Sequence, residues 1–164
     1  MLKLILLVVV FLMAIYCGVK VNTYFSERKK FFQEFEKFLE YLKIQVAFQK
    51  SKISQLVEEY RLQDVDKNFD VLLCDYLEYL EHLNYDKIFE INSSVLKPAE
   101  RSAIARTFMT IGRFNSAGEV ANLHTALQEA KSYLSDALSN HNKYGPVSIK
   151  LSITLGALVV IILL

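Results

Sequence analysis

The chain has 164 residues, 52% of them apolar, with five Gly, two Pro and no low-complexity tract, which suits one compact domain rather than two. Nineteen basic residues stand against eighteen acidic ones, and the net charge of +1 gives no sign of a nucleic-acid surface or of a large acidic ligand. The same composition excludes disordered and fibrous classes.

The near-neutral sum hides an uneven distribution. All eighteen acidic residues fall between Glu27 and Asp136, whereas Leu4 to Val19 are sixteen uncharged residues in a row and Leu151 to Leu164 are fourteen more. From Leu2 to Val21 the first block covers twenty residues, about 30 Å as a helix at about 1.5 Å per residue, which matches the hydrocarbon thickness of a bilayer. Lys3 and Lys20 can snorkel at its two ends. A cleaved signal peptide is the rival reading, but Ala14-Ile15-Tyr16 puts a bulky Tyr where a small residue is wanted, so residues 1–21 are read as an uncleaved transmembrane anchor.

Lys20, Arg28, Lys29 and Lys30 follow this segment, against Lys3 before it, a bias that places the N-terminus outside and residues 22–146 in the cytoplasm. Residues 147–164 form a second hydrophobic segment, a marginal crossing with Lys150 snorkelling. Leu4 and Val19 bound the first anchor, Leu151 and Leu164 the second. Cys17 and Cys74 have no route to a structural disulfide and read as two buried small hydrophobes.

Between the anchors the apolar residues recur at helical spacing, and the class is all-α with about six helices. The first helix continues out of the anchor to about Gln49, with Phe31, Phe35, Phe38, Leu42 and Val46 on one core-facing stripe. A second covers about Ile53 to Leu62, a third about Phe69 to Leu83, and a brief fourth about Asp86 to Ile91, before the loop Asn92-Ser93-Ser94. Pro98 opens a fifth at its first turn and Gly112 stops it. Ser116 and Glu119 have capping-box spacing ahead of a sixth helix through Leu123, Leu127, Leu134 and Leu138 to about Lys143. Gly145-Pro146 is expected to break the chain there.

Chemistry is scarce. His82, His124 and His141 have no metal-ligand spacing, Cys74 has no cysteine neighbour, and no nucleotide-binding, nucleophile-elbow or metalloprotease motif occurs. Glu78 and His82 share a helix face, but a solvated pair is the commoner reading, and Glu58 and Glu59 diverge on a helix. No catalytic residue, metal or cofactor is expected. Two classes remain open, an assembly component at a membrane and a membrane-tethered enzyme with an unrecognised site.

The layout resembles one known family. An anchor opening with Met1-Leu2-Lys3, the basic cluster Arg28-Lys29-Lys30 leading into Phe35, Phe38 and Leu42, the turn Ile111-Gly112, and a tail containing Leu155-Gly156 are similar to the stage III sporulation protein AB family of endospore-forming bacteria. Asn115 stands where the family pattern has Asp, and Glu119 where it has Gln. The resemblance implies a structural component of the mother-cell membrane around the forespore, in a secretion-like channel complex. It further implies a helical body similar to the cytoplasmic domains of type II secretion inner-membrane platform proteins. Its implied partners are other stage III sporulation proteins, among them a secretion-type ATPase and channel-forming proteins, together with the lipid membrane; a homo-oligomer is a further possibility and nucleic acid is not expected. A platform-type protein of another type II secretion or type IV pilus-like system is the alternative. The turn from Gly112 to Ser116 offers Gly112, Arg113, Asn115 and Glu119 as a partner-binding site, with a plain helix cap as the simpler reading.

Overall fold

The computed structural model describes residues 2–48, 52–82, 95–112 and 116–163. Five helices are described, and no strand occurs among these residues: α1 (Leu2–Phe48), α2 (Ile53–Arg61), α3 (Lys67–His82), α4 (Pro98–Thr110) and α5 (Ser116–Leu163). The expected short helix at Asp86 to Ile91 and the loop after it lie outside the described residues. By its contacts the chain divides into a terminal unit, residues 1–29 with 136–164, and a body, residues 30–135.

The body is built on the aromatic stripe of α1. Phe31, Phe38 and Leu42 are fully buried and Phe35 nearly so, as the spacing predicted; Phe32 and Leu39 join them, whereas Val46 at the end of the expected stripe is only half-buried. Phe38 packs against Tyr60 of α2, Phe69 of α3 and Phe108 of α4, at ring-centroid distances of 5.1, 5.7 and 5.8 Å. One ring thus joins four helices, and each such pair adds about 0.5–1.5 kcal/mol beyond area burial. Leu56 and Val57 of α2, Leu72, Leu73 and Tyr76 of α3, Ile104 of α4, and Leu123 and Ala130 of α5 complete the core.

Local chemistry fixes the helix ends. The Asp66 carboxylate accepts from the Asn68 N–H at 3.0 Å and opens α3 as an N-cap, and Arg61 grips Asp70 at 2.7 Å across the α2–α3 turn. Pro98 occupies the start of α4, where Glu100 accepts from the Lys97 N–H at 2.9 Å. Gly112 follows α4 with φ +83°, the left-handed conformation that glycine adopts without steric cost.

The terminal unit is an antiparallel pair made from the start of α1 and the end of α5. Descending the pair, Gly156 lies against Phe11 and Ala14, Ser152 against Gly18, Gly145 against Asn22, and Tyr144 stacks on Phe25 at 5.8 Å. The Ser148 hydroxyl donates to the Gly18 carbonyl at 3.3 Å, across the seam. Arg28 is 1% exposed and approaches Asp136 at 3.9 Å.

Two expectations are corrected. The chain does not break at Gly145-Pro146, nor does the last helix end near Lys143, because α5 runs unbroken from Ser116 to Leu163 with Pro146 inside it. A residue before proline is normally driven out of the helical region by a clash between its own Cβ and the proline ring, and Gly145 has no Cβ. Gly145 packs on Asn22, and the Ser148 hydroxyl donates to the Gly145 carbonyl at 2.7 Å, so the helix is tied down on both sides of Pro146. Cys17 and Cys74 are also not buried; both are free and exposed, on the outer faces of α1 and α3.

Candidate functional site

Three places carry the features from which function can be read. The first is the terminal pair. Among the described residues, 21 large apolar side chains are exposed, and all but Ile44, Leu62 and Val71 belong to the terminal unit. Leu6, Leu12, Met13, Leu151, Leu155, Ile161 and Ile162 each expose more than half of their surface. Against water such an uninterrupted apolar surface is unfavourable by about 25 cal/mol per Å². Both helices are long and apolar enough to cross a membrane. The seam between them is lined with small residues, which lets two backbones approach where lipid gives no hydrophobic drive to association. Val19 and Leu151 are exposed on this surface, Leu4 lies in α1, and Leu164 is outside the described residues.

The second is the turn between α4 and α5. Gly112 is exposed, and its N–H donates to Glu119 Oε1 at 2.9 Å. Asn122 donates to the Thr110 hydroxyl at 3.2 Å, so the first turns of α5 hold the end of α4 through two side chains. Glu119 is 2% exposed, which makes it a strut of the turn. Of the four residues named from sequence, the structure brings Gly112 and Glu119 together; Arg113 and Asn115 lie outside the described residues. Beneath the turn Tyr76 is fully buried with its hydroxyl unpartnered, and burial, followed by the charges of Glu119 and Tyr79, pushes that hydroxyl above the ordinary tyrosine range.

The third is a groove of about 610 Å³ between the last turns of α1 and the first turns of α5, flanked by Glu40, Lys43, Ile44, His124 and Lys131. Lys131 reaches Glu40 at 3.4 Å and Glu36 at 3.7 Å on one side, while Ile44 stays 57% exposed beside it. A half-exposed apolar residue amid opposite charges is a surface suited to a protein partner. Sequence reasoning missed it, although Glu40, Lys43 and Ile44 at steps of three and four, and His124 with Lys131 at a step of seven, were the available signal.

Among the described residues the histidines share no partner with the hydrogen-bonded tyrosines. His82 lies 4.0 Å from Glu81 on an exposed surface, His124 is exposed, and Tyr41 and Tyr60 spend their hydroxyls on Glu59 and Glu34 at 3.2 and 3.4 Å. Among the described residues no three of His, Cys, Asp and Glu gather to hold a metal ion.

No curated protein and no solved structure matches the chain. The comparison with protein families matches residues 3–164 to stage III sporulation protein AB, a span that includes both apolar helices, the Gly112 turn and the whole body. The chain belongs to the stage III sporulation protein AB family.

Proposed function

We propose that this protein is a structural membrane component of the secretion-like channel complex between mother cell and forespore. Its terminal pair of helices spans the mother-cell membrane and its helical body lies in the mother-cell cytoplasm. There the body holds partners, the family's secretion-type ATPase foremost, and carries out no chemistry of its own. The observation that supports this most is the terminal pair: residues on either side of the body close into one lipid-suited hairpin, so the body is held at the membrane from both of its ends. Lys20, Arg28, Lys29, Lys143 and Lys150 on the body side of the apolar stretches favour the cytoplasmic orientation. The exposed Gly112 turn and the groove beside Ile44 are the surfaces on which a partner would dock.

Two experiments test the reading. An alkaline-phosphatase fusion after Lys52 should be inactive, and strong activity there would reverse the orientation. Glu78→Ala, His82→Ala and His124→Ala should each sporulate nearly normally, because binding spread over a surface tolerates single truncations, whereas removal of residues 151–164 should abolish sporulation. A folded, correctly located His82→Ala or Glu78→Ala protein without function would point to a hidden active site instead, since loss of one acid or base commonly slows turnover by about 10² or more.

A further inference from the structure

Lys20 and Lys150 stand at one level of the terminal hairpin. Gly18 packs on Ser152, and in an antiparallel pair two residues on from Gly18 faces two residues back from Ser152. Both lysines are exposed, and each lies about 200° round its helix from the seam residue beside it, so they project outward on opposite sides. Lys143, also exposed, lies seven residues from Lys150 on the same face of α5, about 10 Å further from the apolar stretch and within about one screening length of it. Tyrosines mark the same zone: the Lys20 ammonium lies 5.6 Å from the centre of the Tyr16 ring and that of Lys143 lies 5.2 Å from Tyr144.

The charge of the chain is divided accordingly. The terminal unit holds six basic residues against Glu27 and Asp136, a net +4, while the whole chain carries +1, which leaves the body at −3. Asp136 faces the buried Arg28 at 3.9 Å, and Glu27 is half-buried. On the body side of the apolar stretch, the exposed charge nearest to it among the described residues therefore comes from Lys20, Lys143 and Lys150, arranged around the hairpin.

We infer that this collar binds an anionic lipid surface: acidic phospholipid headgroups gather around the hairpin at the level of Lys20, Lys143 and Lys150. The inference goes beyond membrane anchoring as such, because lysines that only snorkel would accept zwitterionic headgroups equally well. It rests on the hairpin crossing the bilayer, and the test separates the two.

Full-length protein is reconstituted in phosphatidylcholine bilayers containing spin-labelled phosphatidylglycerol or spin-labelled phosphatidylcholine, and the motion-restricted fraction of each probe is measured by electron paramagnetic resonance. At low salt the restricted shell should prefer phosphatidylglycerol by about threefold or more, and the preference should fall toward parity as salt shortens the screening length to about 3 Å near 1 M. The triple variant Lys20→Gln, Lys143→Gln, Lys150→Gln should show parity at low salt with unchanged helical circular dichroism, while the corresponding Lys→Arg triple keeps the preference. A control with Lys52→Gln and Lys67→Gln in the body should behave like the wild type. Equal restriction of both probes by the wild type at low salt, or a preference that survives in the folded Gln triple or in high salt, would refute the collar. Restriction of neither probe would refute the membrane-spanning hairpin and the collar with it.

Discussion

Between Gly18 and Ser152 there is no room for a single methyl group: a Cβ built on Gly18 would lie 2.5 Å from the Ser152 hydroxyl oxygen and 2.6 Å from its Cβ. The same closeness recurs at Gly156, whose Cβ would lie 3.1 Å from that of Ala14. Gly18→Ala should therefore lower the melting temperature of the full-length protein in detergent, by the equivalent of about 1–3 kcal/mol for overpacking, and Ser152→Gly should restore part of it. In a Cys17→Ser, Cys74→Ser background, Ala14→Cys with Gly156→Cys should form a disulfide under mild oxidation, since their Cβ atoms would be close enough to be bridged. Failure to cross-link would mean that the register of the pair is wrong.

Pro146 and Gly145 should respond in opposite directions. Pro146→Ala restores a helical N–H donor, so it should stabilise α5 or leave it unchanged. Gly145→Ala should destabilise, because the new Cβ would lie 2.7 Å from the Asn22 side-chain oxygen and would clash with the ring of Pro146. Thermal denaturation followed by circular dichroism measures both. The Gly145-Pro146 pair also shows where sequence reading runs out: two residues that end a helix in isolation are carried through it by Asn22 and Gly18, more than a hundred positions away. The aromatic stripe of α1 needed no such distant knowledge, since Phe31, Phe35, Phe38 and Leu42 already declare one face by their spacing. Glu119 lay between these cases. Its capping-box spacing was visible, but not that its carboxylate holds the Gly112 N–H and is buried in doing so.

Glu119→Gln should be tolerated, as the amide oxygen can still accept from Gly112. Glu119→Ala leaves that donor without its carboxylate and should cost about 1–3 kcal/mol. Urea unfolding compares the two, and equal losses would show that charge, not the acceptor, is what the turn requires.

In the core, Leu127 is 7% exposed and Phe38 fully buried. Leu127→Ala should destabilise by about 2–5 kcal/mol and Phe38→Ala by about 3–5 kcal/mol, the larger loss following from the three rings that Phe38 joins. An unchanged melting temperature for Leu127→Ala would mean that the buried face of α5 is misassigned.

Tyr60 and Tyr76 make stability sensitive to alkali. Burial, then the charge of Glu34 on Tyr60 and of Glu119 on Tyr76, raises both hydroxyls above the ordinary tyrosine value of about 10. The folded state thus keeps protons that the unfolded chain releases near pH 10. The stabilisation is fully present below about pH 10 and declines as pH rises from there through the folded-state values. Urea midpoints should be flat up to about pH 9 and then fall, with tyrosinate absorbance from these two groups appearing only on unfolding. Tyr76→Phe should reduce the slope and, by removing a buried hydroxyl with no partner, raise stability at neutral pH by about 1 kcal/mol.

The hairpin places its two halves far apart in the order of synthesis: Gly18 and Ser148, which share a hydrogen bond, are separated by 130 residues. The first half is made before the body and the second after it, so in the proposed membrane topology the apolar start of α1 would rest in lipid alone while residues 30–135 emerge and fold. Its seam face at that stage is Phe11, Ala14 and Gly18, a surface that acyl chains can cover and later surrender to Gly156 and Ser152. Closing so long a loop is entropically demanding and slow compared with local helix packing. On that topology the body would reach its own fold first, and arrival of the second helix would act as a late, membrane-borne clasp that converts a singly tethered domain into a doubly tethered one.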